Sequence, residues 1–110
     1  MLDKIVLQKL STNDVQLPKV SEFAIGNADT DKINAVINSY NKANNELLGA
    51  CLEHILIGVI GYLQEASQII IRHISILPKF QHQGIGTLLI DNIKQQYTKY
   101  KLLPRQMKNP

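Results

Sequence analysis

The spacing of apolar residues predicts three helices. Residues 33–40 and 85–100 carry apolar side chains at positions i, i+3, i+4 and i+7, which is the spacing of one face of an amphipathic helix. Residues 29–31 supply polar capping side chains before the first of these helices. A similar polar cluster at 11–14 predicts the start of a further helix, with Pro18 in its first turn or at a break.

Four other segments are apolar runs that are typical of β-strands. They lie at residues 5–10, 47–52, 55–61 and 68–77. Glu53 and His54 separate the second run from the third and predict a tight hairpin turn, although neither residue type favours a positive φ. Gly58 and Gly61 predict a bulge or a close backbone approach. The resulting element order is β-α-α-β-β-β-α, in an α+β fold.

The composition fits a single small domain. The chain has 110 residues, of which 45% are hydrophobic and 19% are charged, and this balance excludes disordered, collagen-like and low-complexity chains. One cysteine excludes an intramolecular disulfide and a cysteine-rich zinc site, and three histidines give little support to a metal site, so we expect no metal. We expect one domain over residues 1–103 and an irregular tail over 104–110.

The expected location of the protein and the charge of the chain limit the classes of partner that it could bind. We expect a cytoplasmic protein without a membrane partner, because the chain starts without a signal-peptide pattern and its longest apolar run, residues 55–63, is too short to cross a bilayer. The net charge is +3, and basic residues cluster toward the C-terminus. This cluster is either a solvated helix face and tail or an attraction for a small polyanion such as a nucleotide phosphate. We expect no nucleic-acid partner.

The most informative segment joins the last predicted strand to the last predicted helix. The strand stops at Pro78, and a loop over 81–86 carries Gly84 and Gly86 at the junction with the helix. The first N–H groups of a helix lack backbone partners and lie at the positive end of the helix dipole. Glycines let a phosphate approach that backbone closely. Strand, loop and helix together therefore predict a cradle for a pyrophosphate.

This segment resembles the signature of the GNAT superfamily of acyl-CoA-dependent N-acyltransferases. The family signature is Gln/Arg-x-x-Gly-x-Gly/Ala between a strand and a helix, and Gln81, Gly84 and Gly86 match its three fixed positions. Residues 74–78 resemble the strand end that leads into the loop, and the preceding hairpin is similar to the family's second and third strands. The resemblance covers about residues 3–100. It implies a mixed, mostly antiparallel sheet flanked by helices.

The resemblance also implies a donor and its binding residues. Acetyl-CoA would be the donor, and an amine of unidentified structure would attack its acetyl group directly, without a covalent enzyme intermediate. Backbone groups of Ile74, Ser75 and Ile76 would bind the pantetheine arm. The loop and the helix N-terminus would bind the pyrophosphate at Gln81, His82, Gln83, Gly84, Ile85, Gly86 and Thr87.

His73 is the candidate catalytic residue. It lies on the strand that would bind the pantetheine arm, and histidine titrates near neutral pH, so it is suited to take a proton from the acceptor. The other interpretation is a histidine that only packs within the strand or faces solvent. Cys51, Tyr97 and Tyr100 lie in apolar patterns that favour packing over catalysis.

The chain departs from the family pattern after the last predicted helix. A typical member continues with a strand, a helix and a β-hairpin, which form half of the acceptor site and carry a tyrosine that protonates the leaving thiolate. The sequence therefore favours an N-acetyltransferase with weak turnover. The alternatives are a non-catalytic acyl-CoA-binding or interaction module and an unrelated α+β domain. Without the missing strand, residues 68–77 would form an open apolar edge, so we also expect a homodimer.

Overall fold

The computed structural model describes residues 2–25 and 29–104, which contain a five-stranded sheet. Strand order follows chain order, with antiparallel neighbours up to the fourth strand and a parallel pair at the far edge. This mostly antiparallel sheet, flanked by helices, confirms the predicted α+β fold class. The strands are β1 (Val6–Lys9), β2 (Asn45–Leu52), β3 (Ile55–Glu65), β4 (Gln68–Ile76) and β5 (Lys101–Pro104).

Helices cover both faces of the sheet. α1 (Leu17–Ile25) and α2 (Thr30–Asn38) pack on one face, and α3 (Ile85–Gln96) packs on the other. The predicted cap of α2 is confirmed, because Asp29 accepts a hydrogen bond of 2.8 Å from the N–H of Lys32. Among the described residues, no helix is long and apolar enough to cross a membrane. A 3-10 turn at Leu2–Lys4 precedes β1, and two more lie in the connections at Ser39–Asn41 and Pro78–Phe80.

Two apolar clusters, one on each face, hold the helices to the sheet. In the first cluster, Leu17 of α1 and Ile37 of α2 pack against the sheet. In the second, α3 buries Ile85, Leu89 and Ile93, which follow one another at intervals of one turn. Burial of one aliphatic side chain contributes about 1.5–3 kcal/mol. The packing of Ile85 therefore also fixes the start of α3 against the sheet, and with it the loop that precedes α3.

The predicted hairpin turn between β2 and β3 consists of Glu53 and His54. Their φ angles are +50° and +69°, so both residues adopt the left-handed conformation that a type I′ turn requires at its two central positions. This conformation is unfavourable for residues with a Cβ atom. The turn forms nonetheless because Leu52 pairs with Ile55 directly beside it, and the pairing of β2 with β3 continues from there with one register shift, between Ala50 and Cys51.

β4 contains a bulge that its apolar pattern did not indicate. Ile71 lies opposite Tyr62 of β3 and His73 lies opposite Gly61, so Arg72 is an extra residue with no counterpart on β3. The irregularity predicted at Gly61 is confirmed, but the extra residue belongs to β4. A bulge interrupts the alternation of side chains along a strand. As a result, Arg72 and His73 both reach the face that carries α1 and α2.

β5 corrects the predicted element order. Residues 101–104 pair in parallel with residues 68–71 of β4, so Pro104 ends a strand, and the irregular tail was wrong at this position. Residues 105–110 of that tail lie outside the described residues. The expected open edge was wrong for 68–71, which β5 covers, whereas within residues 2–25 and 29–104 no strand pairs with 72–76 on that side. β5 is too short for its periodicity to mark it, and its pairing with β4 defines it.

Candidate active site

The start of α3 leaves backbone N–H groups without backbone partners. Gly84, the residue before the first turn of α3, has a φ of +89°, a left-handed conformation that suits glycine. The N–H of Leu88 is the first that is bonded within the helix, and it donates to the Gly84 carbonyl at 3.0 Å. The N–H groups of Ile85, Gly86 and Thr87 have no backbone acceptor among the described residues. The helix dipole adds positive charge at this end, which favours an anion.

A cleft of about 390 Å³ lies between this loop, the start of α3 and the end of β4. Gln83 was predicted to bind there, but it does not line the cleft. Phe80, which the motif did not indicate, does line it. The structure thus brings the two predicted segments together around one space. The other lining residues are nine of the ten predicted, namely Ile74, Ser75, Ile76, Gln81, His82, Gly84, Ile85, Gly86 and Thr87.

The side chains of the two loop glutamines bind backbone carbonyl groups. Nε2 of Gln81 donates a hydrogen bond of 3.0 Å to the carbonyl of Ile76, at the end of β4. Nε2 of Gln83 donates one of 3.2 Å to the carbonyl of Lys79 within the loop. The side chain of Gln81 therefore joins the loop to the strand, a positioning role that its place in the motif did not indicate.

The end of β4 directs backbone groups to the side that β5 leaves open. The N–H of Leu77 donates to the Ile57 carbonyl of β3 at 2.9 Å, whereas the Ile76 carbonyl binds Gln81 on the other side. Backbone groups of successive residues in a strand point in opposite directions. The N–H and carbonyl groups of Ile74 and Ile76 therefore lie on the open side, within reach of an extended ligand.

Ser75 does not direct its backbone groups to the open side of β4. Its backbone groups lie on the side of β3, where it is paired with Val59. Its side chain is buried, and its hydroxyl donates to the carbonyl of Val20 in α1. Of the three residues predicted to bind the pantetheine arm, Ser75 therefore acts on the position of β4 and α1. Ile74 directs its N–H and carbonyl to the open side, whereas the Ile76 carbonyl on that side already accepts from Gln81.

His73 lies beside Tyr40, on the face of β4 that carries α1 and α2. The Tyr40 hydroxyl oxygen and Nδ1 of His73 are 2.7 Å apart, and the two rings meet edge to face. The guanidinium of Arg72 stacks on the Tyr40 ring, 4.2 Å from its centroid. The spacing of apolar residues predicted Tyr40 only as part of a packed helix face. Its contact with His73 depends on the bulge at Arg72, for which the sequence carried no signal.

A small, partly enclosed cavity of about 20 Å³ adjoins His73. This volume holds about one water molecule. Ser75 lines both this cavity and the larger cleft, so the two spaces lie on either side of the same stretch of β4. The other walls of the cavity are mostly apolar and include Val36, Ile37, Leu47 and Val59.

Two groups with shifted pKa values, Cys51 and Tyr62, lie outside both spaces. Burial raises the pKa of the Cys51 thiol, and the charge of Asp14 adds to the effect. Burial also raises the pKa of Tyr62, and its hydrogen bond with Tyr97 acts in the same direction. A thiol with a raised pKa is a poor nucleophile, which agrees with a packing role for Cys51. In residues 2–25 and 29–104, no three His, Cys, Asp or Glu side chains group closely enough to hold a metal ion.

Known proteins with the same fold are acetyltransferases. The ribosomal-protein-alanine N-acetyltransferase of Brucella melitensis biovar Abortus 2308 is 16% identical, with a TM-score of 0.73 over 91% of this chain and 78% of that chain. The PaiA N-acetyltransferase of Thermoplasma acidophilum, in complex with coenzyme A, is 21% identical, with a TM-score of 0.66 over 86% and 72%. A GNAT family acetyltransferase of Elizabethkingia anophelis with acetyl-CoA bound is 22% identical, with a TM-score of 0.70 over 92% and 65%.

The family itself follows from the sequence match. At the identities given above, the solved structures establish the fold. A family model described as Acetyltransferase (GNAT) domain matches residues 7–107, which is most of the chain. The resemblance carried by Gln81, Gly84 and Gly86 is thereby confirmed, and with it the expectation of an acetyl-CoA-dependent N-acetyltransferase. The chain belongs to the GNAT family of acetyltransferases.

Proposed function

We propose that the chain binds acetyl-CoA in the cleft between β4 and α3 and transfers its acetyl group to an amine. The observation that carries the proposal is the start of α3, where Ile85, Gly86 and Thr87 have N–H groups without backbone acceptors among the described residues. Gly84 adopts the left-handed conformation that turns the chain into the helix at this point. Unbonded N–H groups at the positive end of a helix dipole form a favourable site for a pyrophosphate.

The pantetheine arm would lie along the open side of β4. Ile74 and Ile76 direct their N–H and carbonyl groups to that side, and an extended ligand binds such groups as an added strand does. β5 pairs with β4 only as far as Ile71, so the gap between the two strands begins at Arg72. The gap leads from the cleft toward His73, so a pantetheine arm bound in this way would bring the thioester near the candidate base.

The reaction would be direct transfer. The nitrogen lone pair of the amine attacks the acetyl carbonyl carbon, the C–S bond breaks, and CoA leaves as a thiolate. Nε2 of His73 accepts the proton that the nitrogen loses, and solvent protonates the thiolate, so the products are an N-acetylated amine and CoA. An imidazole side chain can act as a general base of this kind. A backbone N–H of β4 would polarise the carbonyl.

The chain's assembly and location are further proposals. A homodimer would bring a second copy of the chain close to the cleft, while leaving the uncovered edge of β4 available to the pantetheine arm. Light scattering at high micromolar concentration is expected to give twice the chain mass of 12.4 kDa, and a monomer would contradict the dimer. A cytoplasmic location agrees with a buried, unpaired Cys51.

Release of CoA thiol from acetyl-CoA, with a panel of amines between pH 6 and 9, tests the proposed function. We expect slow turnover that rises with pH as the acceptor amine loses its proton, and we expect His73→Ala to lower it roughly 100-fold. His54→Ala is the matched control, because His54 is exposed in the β2–β3 turn.

Two outcomes would change the assignment. A rate that is flat over this pH range and unaffected by His73→Ala would contradict His73 as the base. Binding of acetyl-CoA without thiol release, whichever amine is present, would favour the non-catalytic acyl-CoA-binding module instead.

A further inference from the structure

Arg72 carries a positive charge that no carboxylate side chain of the chain balances. All nine Asp and Glu residues lie within residues 2–25 and 29–104, and none of them forms an ion pair with Arg72. Its guanidinium stacks instead on the ring of Tyr40, 4.2 Å from the centroid. Arg72 is half-buried, and charged side chains that lose contact with water are normally paired with an opposite charge. In the described part of the chain, Arg72 has neutral partners instead.

These neutral partners fix the plane of the guanidinium. Its terminal nitrogens donate to Asn45 Oδ1 at 2.8 Å and to Ser39 Oγ at 2.9 Å. Both acceptors are themselves held in place, because Nδ2 of Asn45 donates to the Lys42 carbonyl and the Ser39 hydroxyl donates to the Val36 carbonyl. Ser39 follows the last residue of α2, where the helix dipole favours a cation. The guanidinium is thus oriented by its surroundings but keeps its full charge.

The guanidinium also keeps N–H groups for a ligand. A guanidinium has more N–H donors than the bonds to Asn45 and Ser39 use, and all of them lie in one plane. The others have no acceptor within residues 2–25 and 29–104. Parallel N–H groups of a guanidinium match the two oxygens of a carboxylate. The chemistry that this side chain fits best is therefore a carboxylate.

Arg72 lies where the gap between β4 and β5 begins. Ile71 is the last residue of β4 that pairs with β5, and the bulge at Arg72 follows directly. The side chains of Arg72 and His73 both contact the phenol of Tyr40, one on its face and the other at its edge. The guanidinium is therefore a neighbour of the candidate base, at the end of the gap where the thioester would lie.

The acceptor fits this position better than the phosphates of the donor do. The proposed pyrophosphate site lies beyond Ile76, and a strand rises about 3.3 Å per residue, so Arg72 is roughly 13 Å from Ile76 along β4. Among the described residues that line the cleft and the cavity beside His73, none is acidic. These walls offer no partner to the additional positive charges of a polyamine. The charges of the site favour an acceptor that carries a negative charge.

We propose that Arg72 binds the carboxylate of the acceptor, which is a small amine that also carries a carboxylate, as an amino acid does. The proposal names the acceptor class of the proposed N-acetyltransferase, and for that class it rests on the proposed function. The amine lies toward His73, and the carboxylate accepts hydrogen bonds from the guanidinium. Binding of the carboxylate is itself a property of the resting protein and does not depend on turnover.

NMR of the arginine side chains tests the carboxylate site without turnover. The sequence has two arginines, Arg72 and Arg105, and Arg72→Lys identifies the Nε–H signal of Arg72. Butyrate and its uncharged counterpart butanamide are titrated into the chain, with and without CoA. We expect butyrate to shift the Arg72 signal to saturation and butanamide to leave it unchanged. The absence of a butyrate-dependent shift in both states, or an equal shift with butanamide, overturns the proposal.

Thiol release with matched acceptors tests the substrate class. Glycine, β-alanine and γ-aminobutyrate carry the amine and the carboxylate at increasing separations, and ethylamine, propylamine and butylamine are the matched amines without a carboxylate. A hydrogen-bonded ion pair contributes more than a neutral hydrogen bond, so we expect kcat/KM for at least one of the amino acids to exceed that of its matched amine about tenfold or more. If no amino acid exceeds its matched amine, the proposed class is wrong.

Replacement of Arg72 should remove this preference selectively. Arg72→Gln is expected to raise KM for the preferred amino acid at least about tenfold, while KM for acetyl-CoA and kcat/KM for the matched amine stay within about twofold. Arg72→Lys keeps the charge without the planar donors and should retain part of the preference. Lys101→Gln is the matched control, because it removes one positive charge at an exposed position of β5. A preference that persists unchanged in Arg72→Gln contradicts the role of Arg72.

The two experiments separate this proposal from the proposed function. If no amine releases thiol but butyrate shifts the Arg72 signal, the proposed function fails and the carboxylate site stands. If the simple amines are acetylated as fast as the amino acids and butyrate causes no shift, the carboxylate site fails alone. The NMR titration uses the wild-type chain, so it decides the carboxylate site even if urea unfolding shows that Arg72→Gln is not folded.

Discussion

The side-chain amide of Gln81 donates a hydrogen bond of 3.0 Å to the backbone carbonyl of Ile76. This bond joins the loop before α3 to the last residue of β4, and the cleft lies between the two. Ile76 is also one of the two residues whose backbone groups lie on the open side of the strand. The bond therefore relates the proposed pyrophosphate site to the proposed pantetheine site.

Replacement of Gln81 by alanine should weaken the binding of CoA more than it weakens the fold. One hydrogen bond contributes about 1 kcal/mol, so we expect the Kd for CoA to rise about fivefold in Gln81→Ala. Calorimetric titration measures this change. Gln83→Ala is the matched control, since Gln83 is in the same loop and does not line the cleft. Equal affinities of the two variants would contradict the positioning role of Gln81.

Replacement of Gly84 and replacement of Gly86 should have different effects on the free energy of unfolding. Gly84 has a φ of +89°, so Gly84→Ala should lower the free energy of unfolding by about 1–2 kcal/mol. A Cβ atom at Gly86 would lie 3.6 Å from Cδ1 of Ile74, which is an ordinary contact, so Gly86→Ala should change stability by less than about 0.5 kcal/mol. Urea unfolding of both variants checks the difference, and equal losses would be inconsistent with this conformation of Gly84.

β5 should contribute to stability through Leu103. This side chain is 8% exposed and packs where β5 pairs with β4, so Leu103→Ala should cost about 2–3 kcal/mol, toward the low end for a buried leucine. Lys101→Ala, at an exposed position of the same strand, should cost less than about 0.5 kcal/mol. A negligible loss in Leu103→Ala, measured by urea unfolding, would show that β5 does not pack as described.

Stability should fall at alkaline pH in a way that depends on Tyr62. Burial raises its pKa above the ordinary value of 10.0, and its hydroxyl accepts a hydrogen bond of 2.8 Å from Nζ of Lys9. An acid with a raised folded-state pKa contributes stability that is fully present below the unfolded pKa and is lost as pH rises toward the folded one. The free energy of unfolding should therefore decrease above about pH 10, by up to about 1.4 kcal/mol per pH unit.

Tyr62→Phe isolates this contribution. The decrease above pH 10 should be shallower in the variant than in the wild type. The thiol of Cys51, whose pKa is also raised by burial, is present in both proteins, so it cancels in the comparison. Identical pH profiles for the two proteins would contradict the effect of burial on Tyr62.

The loop and helix N-terminus that would form the proposed phosphate cradle could be predicted from the sequence, because their structure is a local property. Gly84, Gly86 and the apolar stripe after them specify a loop and a helix N-terminus without reference to the rest of the chain. The pairing of Tyr40 with His73 could not be predicted, because it joins residues 33 positions apart and depends on the bulge at Arg72. None of these residue types marks a bulge, which arises from the register between β3 and β4.

β5 could not be predicted from the sequence for the same reason. Its four residues carry no periodicity, and their strand conformation depends on an edge of β4 that the fold leaves available. The hairpin turn between β2 and β3 could be predicted only in part. Its position followed from the apolar runs on either side, but the left-handed conformation of Glu53 and His54 was opposed by their residue types.

Titration of acetyl-CoA into the wild-type chain and into Gly86→Val tests the central claim most directly. The valine would place branched carbons in the cleft beside Ile74, at a position where stability should change little. We expect one molecule of acetyl-CoA to bind per wild-type chain. We expect no detectable binding to Gly86→Val, with urea unfolding close to that of the wild type. Equal affinity of the two proteins, or no binding by the wild type, would contradict the assignment of this cleft to acetyl-CoA.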